Sequence, residues 1–243
     1  MDFSLIETMR WEPGTGFLRL DQHLRRLSRS ADALGFRQPP ADVQKQLAVA
    51  VTDGETPLRV RLVMTYRGKV EITTTPFAPF AADTVWKVRI AKTAMPSDDP
   101  NCRHKTSRRE LYEAARAEFT PDEADEVLLL NERGEVCEGT ITNVFVEQPD
   151  SSLATPAISS GLLPGILRAD LIREGRAKSQ VLTPADLEGR RFFVGNSLRG
   201  LIAAELIGEA ARAQTPAEAP PPPAARPAQR TAPRATKTAR AGR

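Results

Sequence analysis

The chain has 243 residues, enough for one large domain or two small ones with a real core. Hydrophobic residues make up 40%, and no apolar run approaches the roughly 18 residues of a membrane-spanning helix, which excludes one. The net charge of +3 is unevenly spread: from Thr215 onward six Lys/Arg stand against Glu218 alone, leaving 28 basic and 30 acidic residues elsewhere, so the body is not a basic nucleic-acid-binding domain.

The opening residues, Met-Asp-Phe-Ser, lack a basic stretch leading into an apolar one, so no secretory signal is expected. Two cysteines, Cys102 and Cys137, make no disulfide framework, which predicts a reducing, cytoplasmic location. The spacing predicts an α+β chain. Ser4–Trp11 reads as a strand, Pro13-Gly14 as a turn and Phe17–Leu20 as a short second strand. Asp21 reads as the N-cap of a helix from about Gln22 to Leu34, ending at Gly35, with Leu24, Leu27, Ala31 and Leu34 on its core face. A second helix is expected over Pro40–Val51. Leu58–Tyr66, Val70–Thr75 and Val85–Ile90 read as strands. These elements make up an N-terminal α+β domain over residues 1–94, followed by a linking loop over 95–104.

A second domain is expected over residues 105–210. Ser107–Phe119 reads as a helix, and Glu126–Leu130 and Val144–Glu147 as strands around a turn holding Glu138. Gly165–Glu174 reads as a helix, Thr183–Leu187 as a short one, and Arg191–Val194 as a strand running into Gly195-Asn-Ser-Leu-Arg-Gly200. Leu201–Glu209 reads as helical. The basic, Pro/Ala-rich tail, residues 211–243, has no large apolar residue and is expected to be disordered.

Two residues stand out chemically. Lys105 follows a proline-marked loop and is crowded by Arg103, Arg108 and Arg109, which disfavour its ammonium form. Glu138 stands in Val136-Cys-Glu-Gly-Thr140. An imine-forming lysine and a carboxylate facing a pyridine nitrogen are what pyridoxal phosphate chemistry requires. Gly161-Leu-Leu-Pro-Gly165-Ile-Leu-Arg168 opens a helix whose free amides suit a phosphate. Gly195-Asn196-Ser197 adds turn donors, and Arg26 can pair with phosphate oxygens. His23 reads as a structural histidine, and two histidines give poor support for a metal site.

In order, His23-x-x-Arg26, Lys105, Glu138-Gly-Thr-x-x-Asn143, Leu163-Pro-Gly-Ile-Leu-Arg168 and Gly195-Asn-Ser197 resemble the class IV aminotransferases, the fold-type IV pyridoxal phosphate enzymes. The resemblance spans about residues 3 to 207. It implies a small N-terminal domain joined to a larger pseudo-barrel, the D-amino acid aminotransferase-like fold, and a homodimer. It makes Lys105 the Schiff-base lysine and Glu138 the pyridine partner, with Arg26, Ile166, Leu167, Asn196 and Ser197 at the phosphate. Ile166 and Leu167 act there through their amides. Leu167 stands where many transaminases have threonine, so one hydroxyl contact is lost.

Within the family, Leu5-Ile-Glu-Thr-Met-Arg-Trp and Gly195-Asn-Ser-Leu-Arg-Gly200 are similar to lyase modules fused behind aminodeoxychorismate synthase component I. Asn196 replaces the transaminases' threonine, and Ile6 the tyrosine of D-amino acid transaminases. The implied activity is cleavage of 4-amino-4-deoxychorismate to 4-aminobenzoate and pyruvate, with Arg59, Arg61, Arg109 and Arg199 as candidate clamps for its carboxylates. That activity belongs to folate biosynthesis, and the synthase is an implied partner. Branched-chain or D-amino acid transamination is the alternative. A catalytically silent, partner-binding module with the tail as tether is a third reading. The chain starts close to its first strand, so the sheet edge there is expected to be incomplete or covered by a partner.

Overall fold

A computed structural model describes residues 3–208; the tail expected at 211–243 lies outside the described residues. Near the N-terminus β1 (Leu5–Glu12) pairs antiparallel with β3 (Leu58–Met64), from Leu5↔Met64 to Trp11↔Leu58, and β3 pairs with β4 (Val70–Pro76). The period of two sends Leu5, Met9, Val60, Leu62 and Met64 to one face. There they pack under Leu27 and Ala31 of α1 (Leu20–Ala33) and Leu47 of α2 (Val43–Ala50). Glu7 interrupts this apolar face. Ile6, Thr8, Arg59 and Arg61, on the other face, line a cavity.

Two local expectations need correction. The second strand shrinks to β2 (Gly16–Phe17), paired with the end of β1. Helix α1 starts two residues earlier than expected, at Leu20, and its cap is Arg19, not Asp21, which stands in the first turn. Arg19 adopts the left-handed φ of 61°, a conformation that costs a bulky residue about 1–2 kcal/mol. The ion pair of its side chain with buried Asp170 offsets this. Gln22 donates to the same carboxylate at 2.8 Å.

The remaining strands form one eight-stranded sheet, in the order β10-β9-β8-β11-β12-β5-β6-β7, curled into a half-barrel. They are β5 (Val85–Met95), β6 (Glu126–Asn131), β7 (Val136–Gly139), β8 (Asn143–Glu147), β9 (Leu153–Pro156), β10 (Ala177–Gln180), β11 (Phe192–Asn196) and β12 (Gly200–Leu206). Strand β5, grouped by the sequence reading with the N-terminal elements, hydrogen-bonds in parallel to β12 and β6 of this sheet. Val88, Leu128, Val144, Val146, Phe192 and Val194 fill one core. Helix α3 (Glu110–Ala117) packs its Ala115 on Val127, Leu129 and Cys137, and α4 (Ile166–Arg173) packs Leu167 and Leu171 on Phe145.

The helix expected over Leu201–Glu209 is instead β12. Leu-Ile-Ala-Ala-Glu-Leu satisfies helical spacing, but the segment lies between β11 and β5, and both take it as a neighbouring strand. Glu138 lies within β7, paired with Leu129, rather than in a turn. The open edge expected at β1 is partly closed from within the chain. Ile6 N–H donates to the Lys105 carbonyl at 2.9 Å, and Leu5 bridges Thr106. Among the described residues no helix is long and apolar enough to cross a membrane.

Candidate active site

Between the two sheets lies a cavity of about 530 Å³, the size of a cofactor pocket. Lys105 and Glu138 both line it, so the pair that the sequence singles out shares one cleft. The backbone bonds to β1 hold Lys105 in place from the small sheet, and the short loop from β5 leads to it. Desolvation, with Arg26 and Arg109 as neighbouring cations, brings its ammonium pKa down to about 8, against the opposing pull of Glu7 and Glu138. Of the three expected cations only Arg109 acts here: Arg103 lies beside Cys102, Arg108 stacks over the Phe3 ring, 4.1 Å from its centroid, and Arg26 comes in from α1.

Glu138 is buried on β7. Its Oε1 accepts from the Tyr112 hydroxyl at 2.8 Å and the Leu163 amide at 2.9 Å; among the described residues Oε2 accepts only from Asn143 Nδ2, at 3.3 Å. Burial pushes its pKa up to about 7, while the Leu163 amide, Tyr112, Lys105 and Arg109 pull the other way. A buried carboxylate with one lightly used oxygen suits a cationic N–H partner.

At the far end the cavity meets the start of α4. Gly165 caps that helix without side-chain help, so the first-turn amides of Ile166 and Leu167 are free of partners inside the helix. A Cβ at Gly165 would overlap Asn143 Oδ1, so only glycine lets the loop pass here. The Ile166 and Leu167 side chains are buried in the core, leaving their amides as the available groups. Arg26 and Ser197 line the same end. Asn196 lines it too, but its side chain braces the turn: Oδ1 accepts from the Leu198 and Arg199 amides, and Nδ2 donates to the Ile141 carbonyl at 3.1 Å. This donor set, with an amine and a carboxylate further in, fits a phosphorylated pyridine aldehyde.

The other side is cationic. Arg59, Arg61, Arg109 and Arg199 line the cavity, and none forms an ion pair among the described residues. Burial and the neighbouring Arg59 charge lower the pKa of both Arg61 and Arg199. Arg109 donates to the Thr140 carbonyl at 2.6 Å, and the Arg199 Nε is buried without a partner.

Sequence reasoning passed over two carboxylates. Glu7 accepts from both Arg26 and His23. Glu126, fully buried, gathers the Thr140 and Ile141 amides and the Thr140 and Thr142 hydroxyls, so it holds the loop after β7 in shape. Only the Glu-Gly-Thr-Ile-Thr run hinted at the second, because successive hydroxyls and amides need an acceptor.

This fold is that of the fold-type IV enzymes, a class that works with pyridoxal phosphate. The chain belongs to the amino-transferase class IV family, whose model matches residues 4–207. It is 30% identical over 175 residues to a Schizosaccharomyces pombe protein named "Putative aminodeoxychorismate lyase", covering 71% of this chain and 74% of that one. It is 29% identical over 189 residues to a Thermotoga maritima protein named "Probable branched-chain-amino-acid aminotransferase", covering 71% and 67%. A Mesorhizobium loti crystal structure titled "Putative amino-acid aminotransferase" superposes with a TM-score of 0.82 at 52% identity, covering 85% of this chain and all of that one.

Proposed function

We propose that the chain binds pyridoxal phosphate and acts as a 4-amino-4-deoxychorismate lyase, releasing pyruvate and 4-aminobenzoate. The observation that carries the reading is the set of four arginines without counter-ions facing the cavity that also holds Lys105 and Glu138. Such a wall calls for an anionic substrate, and this one carries two carboxylates. A pocket for a branched aliphatic side chain has no use for it.

Bound pyridoxal phosphate supplies an electron sink for the pair left at the amine-bearing carbon. Lys105 would hold the group through its amine; a pKa near 8 leaves an appreciable share of that amine neutral and nucleophilic at physiological pH. The Lys105 amine would be placed to take the proton from the substrate's amine-bearing carbon and to hand one to the departing enolpyruvyl group. Glu138, kept in register by Tyr112, Leu163 and Asn143, would hold the ring nitrogen and its proton. Arg26, Ser197, Asn196 and the Ile166 and Leu167 amides would hold the phosphate. Arg59, Arg61, Arg109 and Arg199 orient the carboxylates.

A second reading, amino acid transamination, is favoured by the name of the 52% identical Mesorhizobium loti neighbour. The two separate in one assay. Pyruvate release from aminodeoxychorismate without a 2-oxo acid acceptor supports the lyase; turnover only with an acceptor overturns it in favour of the transaminase.

A further inference from the structure

The face of β1 and β3 that packs on α1 is apolar except at Glu7, a buried carboxylate standing behind the cavity wall. Its Oε2 accepts from His23 Nδ1 and Arg26 Nη2, each at 2.7 Å, and its Oε1 from Arg26 Nε at 2.8 Å. On the other side of the imidazole, His23 Nε2 lies 2.8 Å from Ser197 Oγ. Glu7 and His23 are each 1% exposed, so the row is sealed from bulk solvent. Ser197, at its end, faces the cavity beside Arg26 and the start of α4.

The direction of these hydrogen bonds follows from the charged end. Burial alone would raise the Glu7 pKa, but Arg26 and His23 hold it at about 2, so the carboxylate can only accept. His23 Nδ1 therefore carries a hydrogen. In a neutral imidazole Nε2 is then a bare acceptor, and the Ser197 hydroxyl must give its hydrogen to it. Ser197 is left with lone pairs toward the cavity, which repel an anion. Once His23 is protonated, Nε2–H donates to Ser197 Oγ and the hydroxyl hydrogen is free to turn to the anion.

The charges around His23 point the same way. Glu7 of β1 and Arg26 of its own helix largely cancel. From the β11–β12 turn the Ser197 hydroxyl meets the imidazole, while Arg199 of the same turn lines the cavity. Asp170 of α4 meets α1 one turn earlier and is taken up by Arg19 and Gln22. Lys105 lies close enough to act on both Glu7 and Arg26. With Glu7 and Arg26 cancelling, Lys105 leaves one positive charge at this end, and a protonated imidazole supplies the second that a phosphate dianion calls for.

We propose that the site takes up a phosphate monoester together with one proton, stored on His23 and relayed through Ser197. The inference rests on the phosphate being held at this end, as in the proposed function, and makes His23 a positioning residue with Glu7 setting its polarity. The test uses the full chain, stripped of cofactor and labelled with 15N-histidine. The two histidines are told apart with His104→Asn. Pyridoxine 5′-phosphate is the probe: it has the phosphate but no aldehyde, so Lys105 is not consumed.

Above about pH 7 the probe's phosphate, with a second pKa of about 6, is a dianion. There, saturation should move the His23 nitrogens from one protonated and one bare to the imidazolium pattern. Affinity should fall about tenfold per pH unit wherever binding takes up that proton. In Ser197→Ala the saturated protein should keep a neutral His23. Binding of the probe with His23 neutral in the wild type overturns the relay and leaves the cofactor reading standing. An unchanged proton gain in Ser197→Ala overturns the route through Ser197. Failure of the wild type to bind the probe overturns the phosphate site, and the relay with it.

Discussion

Glu126 lies under the loop 139–142, and Glu126→Gln isolates what its carboxylate contributes. Oε1 accepts from the Val127 and Thr140 amides and the Thr140 hydroxyl; Oε2 accepts from the Ile141 amide and the Thr142 hydroxyl. Glutamine keeps one carbonyl oxygen and turns an NH2 toward the second pair. The Thr142 hydroxyl can rotate to accept from it. The Ile141 N–H cannot, and a stranded buried donor costs about 1–3 kcal/mol. Three charge-assisted bonds at Oε1 become neutral ones, a loss of roughly 1 kcal/mol each, while the smaller desolvation demand of an amide returns part of this. The net loss is roughly 2–4 kcal/mol. At about 2–4 °C per kcal/mol for a chain of this size, Tm should drop by roughly 4–16 °C in calorimetry. Because Asn196 leans on the Ile141 carbonyl, pyridoxal phosphate should also bind more weakly. A Tm within about 1 °C of wild type would refute this account of the loop.

Three further outcomes are expected. Glu7, with its folded pKa depressed from 4.5 to about 2, contributes stability that is present above its ordinary value and lost as pH falls toward 2. That is about 3 kcal/mol of acid sensitivity in urea unfolding, absent in Glu7→Gln; parallel pH curves for the two proteins would contradict it. Capture of pyridoxal phosphate needs neutral Lys105, so its rate should climb as pH rises through about 8 and then level off; a flat stopped-flow profile would be the wrong result. Arg61→Ala and Arg199→Ala should each weaken aminodeoxychorismate binding by about 10- to 100-fold, the worth of a charge-assisted contact, and leave cofactor affinity within about threefold. Equal losses on both ligands would remove these residues from the substrate wall.

The long elements were legible because they carry a period. Leu27 and Ala31 mark the buried stripe of α1, and Leu58–Met64 alternates as β3 does. Strands β7, β9 and β10 have four residues each, and the first two are buried throughout, so no alternation marks them. Segment 201–206 fits two periods, and only its neighbours decide for β12. At the site, the ordered motifs pointed to Lys105, Glu138 and the α4 N-terminus because each is a local pattern. Glu7 was invisible for the opposite reason. Its meaning lies in His23 and Arg26 on a helix and in Ser197, 190 positions away, and a glutamate in a strand announces none of them.

The central claim is that Lys105 is the amine that captures the cofactor. Purified protein incubated with pyridoxal phosphate and reduced with borohydride should, by peptide mass spectrometry, carry one pyridoxyl group on Lys105, and Lys105→Ala should carry none at the site. A pyridoxyl group on another lysine, or an unlabelled Lys105 peptide at saturating cofactor, would contradict the account.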